Sequence, residues 1–236
     1  MKTMSYKELV DKRKGYVVNY DGFINQSEIN RGEFDKGDYL DPLAQWHNSI
    51  PADILVLGQD WGNAKYYIEN QGRDVKSNPT CHNLIELFRN LSPPVEIGDP
   101  RTPASNLLLH FANIIPFIRI DLMAGDKSRV TKAKIINDDI IMQCGDMFLR
   151  PLINIIMPLN KPLIIITLGL SPLKGLLKLF SENLPNQSHT KTVESIPIHL
   201  LSGKIKVFPR FHCGAGIVNR TRKLDTQKMD WRKVKL

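Results

Sequence analysis

The stretch Ala52-Asp53-Ile54-Leu55-Val56-Leu57, followed at once by Gly58-Gln59-Asp60-Trp61-Gly62-Asn63, decides how this chain is read. The first segment is a nearly continuous apolar run, the pattern of a strand buried on both faces. The second carries an acid between two glycines. A similar pairing lies near the C-terminus. Lys204-Ile205-Lys206-Val207-Phe208 reads as a strand, and Phe211-His212-Cys213-Gly214-Ala215-Gly216 follows it. Each pairing places a reactive side chain just past a strand. In open α/β sheets, ligands bind beyond the carboxyl ends of the strands. Asp60 and His212 therefore form a candidate active site.

The rest of the chain fits around these two strands. Pro79–Leu91 carries Leu84, Ile85, Leu87, Phe88 and Leu91 at helical spacing. In Leu107–Ile118 the first half reads as helical, and the part around Asn113 as extended, because Pro116 disfavours helix in the residue before it. Ile135–Met157 reads as a long helix interrupted at Pro151. Pro162–Leu168 is a third strand closed by Gly169. Ser171–Leu184 follows as a helix, with Ser171 as its cap and Pro172 in its first turn. Ile196–Leu201 and Lys204–Phe208 are strands around a Ser202-Gly203 turn. The alternation predicts a three-layer α/β/α fold with a central, mostly parallel sheet of four to five strands. We expect one domain over 1–236. Residues 1–50 form a polar lead-in with a short helix, 51–222 the core, and 223–236 a basic helical tail.

Composition narrows the function. The chain has 236 residues, 42% of them hydrophobic, which suffices for a sizeable core. A net charge of +8 favours a polyanionic partner such as nucleic acid. Cys81, Cys144 and Cys213 are scattered without a CxxC pair, against a structural zinc, an iron–sulfur cluster or a disulfide framework. No metal or other cofactor is expected, and sparse cysteine suggests a reducing cytoplasm. The N-terminus has no signal-type apolar core. No apolar run reaches the roughly 20 residues needed to span a bilayer, so no membrane partner is expected. Gly58 and Gly62 suit close approach of backbone to a ligand. The Lys-Ser/Thr of a P-loop is missing, against nucleotide hydrolysis.

Each candidate has a functional and a plain structural reading. Asp60 can orient water or stabilise positive charge, or it can cap a helix. His212 can act on a substrate, or simply bond within its loop. Asn113, polar within an apolar run, can offer donor and acceptor to a base edge, or bond neighbouring backbone. Gly214, Gly216, Arg220 and Arg222 combine flexible backbone with two cations, the groups phosphates bind.

Together these segments resemble the uracil-DNA glycosylase superfamily. Gly58-Gln59-Asp60 is similar to the opening of that superfamily's first motif. Asn113, in Phe111-Ala112-Asn113-Ile114-Ile115-Pro116, resembles its base-reading asparagine, and His212 resembles the histidine that opens its second motif. The resemblance runs from about Ala52 to Arg222 in matching order. It implies cleavage of the N-glycosidic bond of a pyrimidine flipped out of DNA. Asp60 would face the sugar, His212 the departing base and Asn113 the base edge. Gly58, Gln59, Trp61 and Gly62 would line the base site. Ile217 would wedge into the vacated stack or pack in its loop. The partner is duplex DNA with a flipped base, or single-stranded DNA, bound by a monomer.

The chain departs from the family in several places. Trp61 replaces proline. Gly62 stands where the uracil-specific branch has a tyrosine that bars groups at carbon 5. Cys213-Gly214-Ala215 replaces proline-serine-proline. Tyr66, Tyr67 and His82 are candidates for the ring that stacks on the base. The open position at Gly62 admits a second role, antiviral defence against phage DNA with bulky modified cytosine. A catalytically inactive DNA-binding module of the same fold is the alternative of another class.

Overall fold

The computed structural model describes residues 4–120, 138–194 and 197–236. Helix α1 (Tyr6–Lys14) starts at a Ser5–Glu8 capping box. It leads through β1 (Phe23–Ile24) to β2 (Ile54–Asn63). Helices α2 (Ala64–Glu69) and α3 (Pro79–Phe88) come next. A small hairpin of β3 (Gly98–Asp99) and β4 (Thr102–Pro103) precedes β5 (Leu109–Arg119). Helix α4 (Asp138–Cys144) continues through a π-helical turn, Gly145–Leu149, into α5 (Arg150–Ile156). Strand β6 (Leu163–Leu168), helix α6 (Leu170–Leu179) and helix α7 (His189–Glu194) follow. The chain closes with β7 (Ile198–Leu200), β8 (Ile205–Arg210), α8 (Ala215–Arg220) and α9 (Leu224–Trp231).

The main sheet has six strands in the order β1-β5-β2-β6-β8-β7. Strands β5, β2, β6 and β8 are parallel, and β1 and β7 pair antiparallel at the two edges. Six strands exceed the expected four to five by β1, which at two residues is too short to leave a period in the sequence, whereas β7 lies within the strand expected over Ile196–Leu201. Alternate residues of each strand face opposite ways. Leu55, Leu57, Ala112, Ile114, Ile165 and Val207 pack under α1, α4, α5 and α6. Ile54, Val56, Phe111, Ile166 and Phe208 pack under α3 and α9. Helices on both faces keep the parallel strands from water.

Several expectations are corrected. Leu109–Arg119 is strand throughout, so the first half of Leu107–Ile118 is not helical. It lies between β1 and β2 with ten of its eleven residues buried, and a segment buried on both faces shows no period that separates strand from helix. Strand β2 does not stop at Leu57 but carries the whole of Gly58–Asn63. Ser171 does not cap α6. Gly169, at φ 108°, makes the sharp exit from β6, and Ser171 lies inside the first turn. That helix stops at Leu179, and the helix begun at Pro79 stops at Phe88. The expected break at Pro151 is a π-helical turn just before it. There the ring's missing N–H falls beside widened backbone bonding. Residues 135–137 and Ile196, expected in a helix and a strand, lie outside the described residues.

Both flanks belong to the cores. Trp231 in α9 is fully buried against Phe88, ring centres 5.2 Å apart. Leu9, Val10 and Trp46 are buried as well. The lead-in is pinned by Arg13, whose guanidinium donates to both oxygens of Asp35 at 2.5 and 2.8 Å and also meets Asn25. Cys81, Cys144 and Cys213 are free and buried. Among the described residues no helix is long and apolar enough to cross a membrane.

Candidate active site

Strand β2 has β5 on one side and β6 on the other, so the chain leaves it in opposite directions. Parallel sheets open a crevice at such a point. Here the carboxyl ends of the strands open into a cavity of about 770 Å³, within the range of ligand pockets. Gly58–Asn63 comes from β2, and Asn113 and Arg119 from β5. Leu168–Pro172 comes from the β6–α6 junction, and Phe211, His212, Ile217 and Thr221 from the chain after β8. Asp60, His212 and Asn113 thus line one space, although the sequence holds them far apart.

Asp60 lies where the pairing of β2 with β5 slips. Asp60 stands opposite Ile115, and Trp61 opposite Ile118. Pro116, which has no N–H for the ladder, falls in the slip. Asp60 does not cap the helix that follows. Asn63 does, accepting from the Tyr66 N–H at 2.7 Å. The Asp60 side chain is only 5% exposed, and its Oδ2 accepts from two donors. Gln59 Nε2 donates at 2.6 Å and Arg119 Nη2 at 2.5 Å. Gln59 is therefore bound to the carboxylate.

His212 faces the cavity mouth, open to solvent on one side and crowded on the others. The crowding lowers its pKa below the ordinary 6.5, against the opposing pull of the Asp60 charge. The Gly214 N–H donates to Nδ1 at 3.0 Å, so the neutral ring carries its proton on Nε2. A side chain at Gly214 would lie 2.8 Å from the ring carbon Cε1. Glycine is what lets the imidazole fold back on its own chain. Gly216 has no such constraint, since nothing lies within 4 Å of where its Cβ would be.

Asn113 bonds an acid rather than neighbouring backbone. Its N–H donates to Asp41 Oδ2 at 2.7 Å and its Nδ2 to Asp41 Oδ1 at 3.3 Å. The amide oxygen lies over Gly58, where any Cβ would collide with it. Asp41 is fully buried, and burial pushes its pKa up to about 6 against the backbone N–H groups of Asn113, Leu43 and Ala44.

The other expected residues divide. Trp61 is 4% exposed, and its indole donates to Asp74 at 3.1 Å, which makes it the floor of the cavity. Gly62 is on the rim, with only the Tyr66 ring, 3.9 Å away, near its absent side chain. Of the three candidate stacking rings Tyr66 lines the cavity, Tyr67 is buried beneath Trp61, and His82 lies outside. Ile217 is half-buried on the wall, and Arg220 is exposed. Arg222 is held inside the protein. It donates to Asp230 at 2.6 and 2.7 Å and to Glu194 at 3.1 Å, with its side chain 11% exposed.

The sequence reading missed three residues. Arg119 ends an apolar strand, and its position at a strand end was a usable signal. Asp41 precedes Pro42, a helix-start pattern, but nothing in the sequence ties it to Asn113. His189 lines the cavity with its ring 4.5 Å from that of Phe211 and both nitrogens buried without a partner. Burial, then the Arg222 charge, lowers its pKa. Among the described residues no three His, Cys, Asp or Glu side chains gather as a metal site. The chain matches no protein-family model and no curated protein sequence.

Proposed function

We propose that this protein is a DNA glycosylase that hydrolyses the N-glycosidic bond of a flipped pyrimidine and leaves an abasic site. The observation that carries the reading is the meeting of Asp60, His212 and Asn113 in one cavity at the carboxyl ends of the parallel strands. As the bond breaks, its electron pair goes to the base and positive charge builds on the sugar. Asp60 faces that charge and holds the attacking water. Neutral His212 offers its Nε2 proton to the oxygen of the departing base, and a preset donor of this kind stabilises the anion without reorganisation. Water adds to the sugar carbon and its proton completes the released base. Asn113, fixed by Asp41, holds the base edge. The net charge of +8 favours the phosphate contacts that offset base flipping, which itself costs a few kcal/mol.

The rim at Gly62 supports a substrate with a group at carbon 5, because Gly62 brings no side chain of its own to the rim, where the Tyr66 ring stands 3.9 Å from the position of its absent Cβ. Uracil or a mismatched base would place the enzyme in repair, and a bulky modified cytosine in antiviral defence. A panel of oligonucleotides, each with one candidate base and scored for abasic sites, separates these roles. Activity on uracil with none on 5-hydroxymethylated or glucosylated cytosine removes the defence role. The ion pair at Asp60 favours the second reading, a DNA-binding module without catalysis, since a neutralised acid stabilises a cation poorly. Asp60→Asn decides between them. The enzyme loses base release and keeps DNA binding, whereas the module loses nothing.

A further inference from the structure

The Arg119–Asp60 pair opposes the work required of Asp60. A carboxylate stabilises a nascent cation through its net charge, and a guanidinium 2.5 Å away cancels much of it. The pair differs from the structural one between Arg13 and Asp35. There both nitrogens meet both oxygens, and the side chains are 0% and 7% exposed. Arg119 is 39% exposed and lines the cavity. Among the described residues its guanidinium bonds Asp60 through Nη2, and Nε is buried without a partner. Guanidinium binds phosphate through two parallel N–H groups. Asp60 uses one, and a phosphate would use two.

We infer that Arg119 masks Asp60 until a backbone phosphate of the substrate strand draws the guanidinium away. The site then acts on a nucleotide within a phosphodiester chain and spares the free nucleoside. This rests on the reading of Asp60 as the group that faces the sugar. The charges balance through the exchange. Arg119 trades a carboxylate for a phosphate, and Asp60 trades a guanidinium for the cationic sugar. The phosphate and the sugar belong to one nucleotide, so the acid is uncovered only when its substrate has arrived. Arg119 is a positioning residue, since it acts through Asp60.

The test uses oligonucleotides with one deoxyuridine or one 5-hydroxymethyldeoxycytidine. The phosphates flanking that nucleotide are replaced one at a time by neutral methylphosphonate. Base release and affinity are measured for the full-length protein and for Arg119→Gln. In the wild type, one replacement is expected to lower affinity and release by about tenfold or more, the scale of one charged hydrogen bond. In Arg119→Gln the same replacement changes neither. That variant also gains release from free deoxyuridine or 5-hydroxymethyldeoxycytidine, which the wild type leaves intact. Equal losses in both proteins, or no loss at any position, overturn the inference. Should Arg119→Gln fold poorly, Arg119→Lys serves. It keeps the charge but cannot make the two-point contact, so the methylphosphonate penalty must shrink. If the wild type releases no base from any oligonucleotide, the catalytic reading of Asp60 fails, while the affinity measurements still decide whether Arg119 meets a phosphate.

Discussion

Gly58 is glycine because of its neighbour. A Cβ there would strike the Asn113 amide oxygen, with Leu43 Cδ2 behind it at 3.7 Å. Asn113 cannot retreat, since Asp41 holds both its backbone N–H and its Nδ2. Gly58→Ala is therefore expected to turn the amide and spoil its contact with the base. Losing one such hydrogen bond costs about 1 to 3 kcal/mol, about fivefold to 150-fold in kcat/KM. Steady-state kinetics on the best substrate of the panel measures this, with a melting curve as the control for folding. An unchanged kcat/KM would remove Asn113 from base recognition. Asp60 and His212 stood out in the sequence as polar residues just past a strand, and Asn113 as a polar residue within an apolar run. Arg119 and Asp41 did not, because their importance lies in partners that only the folded sheet supplies, and His189 did not, because only the folded cavity shows its ring nitrogens buried without a partner. Asp41 is 72 residues from Asn113, and Arg119 is 59 from Asp60.

Charge on an element does not by itself make a DNA contact, as the two arginines after β8 illustrate. Arg220 in α8 is exposed, whereas Arg222 ties α7 to α9 through Glu194 and Asp230. The Asp230 side chain is 4% exposed, so Arg222→Ala strands a buried carboxylate. Breaking a buried pair in this way costs about 3 kcal/mol or more. Arg222→Ala is expected to lower the denaturant midpoint, and Arg220→Ala to weaken DNA binding while leaving that midpoint alone. Equilibrium unfolding and a binding titration on both variants check this. A loss of stability confined to Arg220→Ala would reverse the assignment. Elements were readable wherever one physical signal dominated. The strands β2 and β6 announced themselves as apolar runs ended by glycine, and β8 as a short segment in which apolar residues alternate with Lys204 and Lys206. In β5, buried on both faces, propensity and period were silent, and its pairing with β2 made it a strand. The end of α6 was equally silent, because Ser181 takes a left-handed conformation (φ 59°) that serine does not signal.

The protein as a folded unit buries titratable groups, and they pull its stability in opposite directions with pH. His110 is fully buried in β5, and burial lowers its pKa to about 4. The unfolded chain binds this proton near pH 6.5 and the native state resists it. The contribution of His110 is therefore full above pH 6.5 and is lost as pH falls toward 4. At about 1.4 kcal/mol per pH unit, that is about 3 kcal/mol. His47, His189 and His212 are lowered by burial too and share its direction. Asp41 runs the other way. Its folded pKa of about 6 lies above the unfolded 3.8, so the native state binds the proton first. The stability it contributes is full below pH 3.8 and is lost as pH rises through 6. Over pH 4 to 6 the acid thus offsets a large part of the histidine loss. Asp41→Asn removes the offset and leaves the histidines. Its stability is expected to fall more steeply than that of the wild type between pH 6.5 and 4, by up to about 3 kcal/mol. Urea midpoints of both proteins at pH 7 and pH 4.5 measure the difference, and parallel lines would mean that Asp41 titrates outside this window.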